Sequence, residues 1–187
     1  MRKLQPRAPK ASTGNLDLWN RPAHSLPMLA FDEFERTLAR LWALLESIPA
    51  GMVDVKPRPE DWSAKDVACH LVDSASNNHQ RFTRPQRTAR LAFPGYETEP
   101  WVAVEKPERF AWNTLLDLLK AYNGFLLHLA RNLDPSCLGN VWLYEGKEIS
   151  LEFLVGEYYR HLDWHAAHLE TRMGEVRRFL VDKPVAS

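Results

Sequence analysis

The sequence predicts an all-α protein: a four-helix bundle with a long crossover between helices 2 and 3 and a small β-hairpin before helix 4. Three observations carry this reading. Apolar residues recur every three or four positions in four separate segments, a proline-studded gap of roughly 25 residues splits the chain, and one short stretch alternates apolar and polar residues. At 187 residues the chain is the size of one domain rather than two.

The first helix is expected from about Ala30 to Ile48, where Phe34, Leu38, Leu41, Leu45 and Ile48 form one apolar stripe and Pro49-Ala50-Gly51 ends it. The second opens at Ser63, because Ser63-Ala64-Lys65-Asp66 has the form of a capping box, and runs towards Phe82 before Pro85. Its inner stripe, Val67, His70, Leu71, Ser74 and Asn77, turns polar midway. The third begins near Asn113 and carries Leu115, Leu118, Leu119, Tyr122, Leu126, Leu129 and Leu133 before Pro135. The fourth follows Ser150, with Phe153, Leu154, Glu157, Tyr158, His161, His165 and His168 on one stripe, and continues to about Val181. Helices 2 and 3 are separated by a segment containing Pro85, Pro94, Pro100 and Pro107, long enough to run the length of a bundle. Between helices 3 and 4, residues 141–149 alternate around Glu145-Gly146, the signal of a hairpin turn.

Composition narrows the function. Hydrophobic residues are 45% and charged residues 26% of the chain, the range of an ordinary globular protein, which excludes disorder throughout and fibrous classes. Twenty-four Lys and Arg cancel twenty-four Asp and Glu, so the cationic excess that drives phosphate binding is missing and nucleic acid is not an expected partner. No apolar run is long enough to span a membrane. Arg2, Lys3, Arg7 and Lys10 precede no apolar segment, and Pro6 and Pro9 would break a transit helix. Residues 1–24 are therefore read as a mobile arm preceding a single domain over 25–182. The two cysteines, Cys69 and Cys137, offer neither a disulfide framework nor a thiolate zinc site, which fits a reducing cytoplasm.

Histidine carries the chemistry. Seven histidines scattered at random would give about a quarter of an i,i+4 pair, so spacing alone is weak. In a helix, however, His161 and His165 differ by about 40° and 6 Å of rise, which puts both imidazoles within reach of one ion. His165 and His168 form a competing pair, while His161 and His168 lie about 10.5 Å apart along the axis, too far to share an ion. The third ligand must come from another element, and His70 on the polar stripe of helix 2 faces the bundle interior. Three neutral imidazoles on a divalent cation leave positions open to water or substrate, as a catalytic site requires. The same spacing is also met by core or surface histidines held by hydrogen bonds alone. Around the trio, Asp73 sits one turn from His70 and could accept a proton from its imidazole, while Asn77, Glu157 and Tyr158 could line the same space or pack elsewhere. Tyr96 and Trp101 in the crossover are candidates for a lid.

The blocks Trp62-Ser63-Ala64-Lys65-Asp66-Val67-Ala68-Cys69-His70-Leu71-Val72-Asp73, Tyr96 to Trp101, and Tyr159-Arg160-His161-Leu162-Asp163-Trp164-His165-Ala166-Ala167-His168 resemble the signature of the DinB/YfiT-like metalloenzymes, in the same order along the chain. The resemblance runs from about Phe31 to Arg172. It implies a four-helix bundle holding a divalent metal through His70, His161 and His165, with His168 lining the pocket. Zinc is the expected ion, and nickel, iron and manganese are tolerated by such ligands. The resemblance further implies an S-transferase activity in which the metal activates a low-molecular-weight thiol, because some relatives are thiol-dependent transferases. The alternatives are a hydrolase using metal-activated water and a non-catalytic stress-response module that keeps the metal for stability. No Cys or Ser is paired with a histidine as a nucleophile. A small-molecule substrate and a homodimer are the expected partners.

Overall fold

The computed structural model describes residues 29–182. The arm expected over residues 1–24 lies outside them. Helix α1 is Phe31–Glu46, α2 is Ala64–Thr83, α4 is Trp112–Arg131 and α5 is Leu151–Asp182; the crossover carries strand β1, Arg90–Ala92, and a short helix α3, Thr98–Glu105. Strands β2, Val141–Tyr144, and β3, Lys147–Ser150, form the expected hairpin.

Local chemistry sets these boundaries. Ser63 opens α2 with a complete capping box: its Oγ accepts from Asp66 N at 3.1 Å, and its own N donates to Asp66 Oδ2 at 2.8 Å. Lys106, in the left-handed region at φ 53°, ends α3, and Pro107 cannot extend it. In the hairpin turn Glu145 and Gly146 both take positive φ, 50° and 75°, the pattern of the turn whose twist matches paired strands. Ser150 Oγ accepts from Phe153 N at 3.2 Å as the chain enters α5.

The four long helices form a bundle in which α2 packs against α4 and α5, and α1 packs against the same two. Helices adjacent in sequence, α1 with α2 and α4 with α5, therefore sit on the diagonals. Directions follow from paired residues. His79 of α2 meets Tyr122 and Phe125 of α4, and Gln86 beyond α2 meets Asp134 beyond α4, so α2 and α4 are parallel. His70 meets His165 while Phe82 meets Tyr158, so α2 and α5 are antiparallel. Phe34 stacks on Tyr159 and Arg40 reaches Asp163 and Glu170, which makes α1 parallel to α5. A parallel α2–α4 pair cannot be joined by a tight turn, which is the physical reason for the crossover.

The core is leucine-rich: Leu41, Leu45, Leu71, Leu119, Leu126 and Leu162 are all 0% exposed. A second apolar cluster of Trp142, Ile149 and Leu154 lies under the sheet. Two features depart from the expectation. The hairpin is joined by β1, which pairs parallel with β2 to make three strands, and the crossover contains α3. No helix among the described residues is long and apolar enough to cross a membrane.

Cavity formation and cap loss should separate in magnitude. Leu126→Ala is expected to cost about 2–5 kcal/mol of unfolding free energy. Ser63→Ala should cost about 1 kcal/mol. Urea denaturation followed by circular dichroism measures both, and equal costs would show that Ser63 does more than cap α2.

Candidate metal centre

The polar stripe of α2 and the histidine stripe of α5 face each other because the two helices run antiparallel in contact. Their apposition brings three imidazole nitrogens to one point. Nε2 of His70 lies 3.3 Å from Nε2 of His161 and 3.1 Å from Nε2 of His165, and the latter two are 3.0 Å apart. Three ligands at 2.0–2.1 Å from one ion in tetrahedral disposition are separated by about 3.3 Å, so the triangle has the size a single cation needs.

Their electrostatics fit the same purpose. His70 is 2% and His165 7% exposed, while His161 is half-buried and the most exposed of the three. Burial holds His70 and His165 well below the ordinary imidazole range, and neighbouring imidazoles add to the effect. His161 is lowered to about 4 by burial and then by the positive charge of Arg81. All three are neutral at neutral pH, the form that ligates. Three neutral imidazoles aiming Nε2 at one another cannot all satisfy those atoms, since each nitrogen is either a donor or an acceptor. A cation at their centre resolves that conflict. Ser74 Oγ lies 3.4 Å from His161 Nδ1, on the side where a proton would sit if Nε2 were the ligand.

The crossover forms the wall. Tyr96 lies over His70 with ring centroids 6.4 Å apart and touches Trp101 at 5.0 Å; Trp62, just before α2, stands 5.4 Å from the His70 ring. Trp101 is 40% exposed, so Tyr96 is the inner member of this pair.

The remaining sequence candidates fall in different places. Asp73 does not meet His70, whose Nδ1 is buried without a hydrogen-bond partner among the described residues. Its carboxyl instead faces Glu105 at the end of α3 and is pushed up to about 8, first by burial and then by that hydrogen bond and charge. Asn77 donates to the backbone oxygen of Asp73 at 2.9 Å, and Tyr158 donates to Asn123 Oδ1 at 2.6 Å inside the bundle. Glu157 accepts from Arg160 at 2.6 Å. His168 is exposed and lies tilted against Trp164 with ring centroids 3.7 Å apart, outside the triangle. Cys69 donates to Glu105 Oε2 at 3.1 Å, and burial pushes its thiol up, which removes it as a nucleophile at neutral pH. Sequence reasoning missed Arg81, although it falls 11 residues after His70, three helical turns along the same face.

Comparison with known proteins bears on the family and the fold. The family model described as the DinB superfamily matches residues 33–169. A Bacillus subtilis (strain 168) protein named "Putative metal-dependent hydrolase YfiT" is 28% identical over 145 residues, covering 75% of this chain and 82% of that protein. A second protein named as a metal-dependent hydrolase, from Bacillus mycoides (strain KBAB4), is 24% identical over 156 residues, 82% of this chain and 83% of its own. The solved structure of the B. subtilis protein superposes with a TM-score of 0.70 at 25% identity, covering 82% of this chain and 93% of that one. It is described as a "probable metal-dependent hydrolase with an unusual four-helix bundle topology".

Asp73 yields a pH signature. A carboxyl raised on folding contributes stability below its unfolded value, near 4, and loses it as pH rises through its folded value. Asp73→Asn should therefore gain on wild type between pH 5 and pH 9, read as a melting-temperature difference that widens upward in chelator-treated protein. A difference that stays constant across that range would remove Asp73 as the titrating group.

Proposed function

The chain belongs to the DinB superfamily, and we propose that it is a metal-dependent enzyme whose ion is held by His70, His161 and His165. The observation that carries this is the convergence of three neutral Nε2 atoms within 3.0–3.3 Å across two helices. Zinc is the ion such a set favours. When bound, a divalent ion at this point is a Lewis acid that lowers the pKa of the water or thiol it holds.

The residues of the chain supply position and environment. His70 and His165 are fixed by burial, and His161 is the one of the three that keeps part of its surface exposed. Trp62 and Tyr96 cover the His70 ring and exclude water from that side. No side chain of the centre offers a nucleophile, since Cys69 is engaged by Glu105 and its thiol is held protonated. The nucleophile therefore comes from outside. Our reading is transfer of a low-molecular-weight thiol to a small electrophile: the sulfur forms a bond to carbon, the thiol proton leaves to solvent and the leaving group departs with the electron pair. The names of the two Bacillus relatives favour a second reading, hydrolysis, with water in place of the thiol. Two cysteines outside any disulfide, Cys69 and Cys137, support a reducing compartment such as the cytoplasm.

Purified protein should carry one divalent ion per chain by elemental analysis, and His161→Ala should weaken its binding by more than about 100-fold, beyond what loss of an outer partner does. Turnover of an electrophile such as monochlorobimane or an activated ester, with and without added thiol, then separates transfer from hydrolysis. Equal metal content in wild type and variant would end the metal-centre reading.

A further inference from the structure

Aromatic side chains from three parts of the chain gather at the histidine triangle. Trp62, on the approach to α2, lies tilted against the His70 ring with centroids 5.4 Å apart, and Tyr96 of the crossover lies 25° from parallel to the same ring at 6.4 Å. Trp164 of α5 stands edge-on to His165 at 4.7 Å, and Trp101 of α3 continues the array outward from Tyr96 at 5.0 Å. The pairing of the two helices puts these rings on the walls of one groove. Asp61 pairs with Arg172, so the chain entering α2 lies against the stretch of α5 that follows His165. Trp62 therefore belongs to the α2 wall of the groove whose α5 wall carries Trp164. On α5, Trp164 falls three residues after His161 and His168 four after Trp164, spacings that align all three on one face. Rings that serve the core are closed off, as Trp142 at 0% and Tyr159 at 2% exposed; Trp62, Tyr96 and Trp164 are half-buried and Trp101 is exposed. Trp164 is also held in position, because His168 Nδ1 donates to its carbonyl oxygen at 2.9 Å and sets the imidazole against the indole.

We propose that Trp62, Tyr96 and Trp164 form a ring-binding subsite at the metal centre, and that the molecule handled there carries a planar aromatic group next to the group that meets the ion. The inference rests on the metal-centre reading above and deepens it to a substrate class. Each of the three rings is one ring contact away from a ligand imidazole, so a molecule seated against them has its neighbouring atoms at the triangle. Aromatic pairs in offset or edge-on geometry at centroid separations of about 4.5–7 Å gain more than burial of the same area gives. The rings already meet the imidazoles at such separations, and an incoming ring extends that array. An aliphatic group of the same size would gain from burial alone. A cationic group, which indole faces also attract, is disfavoured beside a divalent ion by like-charge repulsion. Trp62 and Trp164 are thus specificity-determining residues.

The test uses three hydroxamates that share one metal-binding head and differ only in the distant group: acetohydroxamate, cyclohexylacetohydroxamate and phenylacetohydroxamate, titrated calorimetrically into zinc-loaded full-length protein. Wild type should bind the phenyl compound at least about ten-fold more tightly than acetohydroxamate and about three-fold more tightly than the cyclohexyl one. Trp164→Leu, which keeps apolar area and loses the ring, should bring the phenyl and cyclohexyl compounds within about two-fold while keeping one zinc per chain, and Trp164→Phe should restore part of the difference. Melting curves accompany each variant, and the wild-type comparison stands without them. Zinc-loaded wild type that binds the cyclohexyl compound as tightly as the phenyl one, or that binds none of the three, would overturn the subsite and leave the metal centre intact. Wild type that takes up no zinc would overturn both.

Discussion

Three imidazoles inside a leucine core are the constraint that the rest of this structure answers to. A neutral imidazole is tolerable in low dielectric, but three Nε2 atoms at 3.0–3.3 Å present lone pairs and protons that cannot all be matched among themselves. The core must therefore be secure elsewhere. Fully buried leucines on α1, α2, α4 and α5 surround the polar stripe, and several polar groups of the interior are engaged: Tyr158 with Asn123, Asn78 with Ser74, Lys65 with Asp54. Three ring nitrogens brought together inside an apolar core, where they cannot all be matched among themselves, are the pattern of a site held ready for something else.

The topology and the wall of the site are one device. Because α2 and α4 are parallel, the chain must travel the length of the bundle between them, and that passage delivers Tyr96 over His70. The small sheet fixes the passage in place. β1 pairs with β2, Trp142 Nε1 donates to the carbonyl oxygen of Phe93 at 2.9 Å, and Tyr144 lies so close to Gly95 that a Cβ there would meet its hydroxyl oxygen at 2.8 Å. Gly95 is where the backbone must come near a ring, and glycine is the residue without the obstructing atom. The hairpin, remote from the histidines in sequence, thus sets how rigidly the wall stands.

The parts of the fold governed by local rules were legible in the sequence. The α2 capping box, the four apolar periodicities and the Glu145-Gly146 turn each depend on residues a few positions apart, and each appears where its chemistry placed it. The convergence of His70 with His161 and His165 was legible because two helical stripes turned polar where a core should be apolar. What escaped depends on partners far away in sequence. β1 has three residues of which only the middle one is half-buried, too short for alternation to register. Helix α3 has Pro100 as its third residue, a tolerated position near a helix start that otherwise reads as a breaker. Asp73 was expected beside His70 on spacing, but the α3 end brings Glu105 to it first. Arg81 reads as an ordinary helix-terminal cation until the sheet closes over it.

Charge ties these misses together. Arg81 depresses His161 and so keeps that ligand unprotonated, which favours a cation at the triangle; yet its own positive charge opposes one. The carboxyl most deeply placed nearby cannot settle the balance, because Asp73 is held protonated near neutrality by burial and by Glu105. The three depressed imidazoles and the protonated Asp73 together leave the triangle uncharged, the state in which a cation meets three lone pairs and no competing proton.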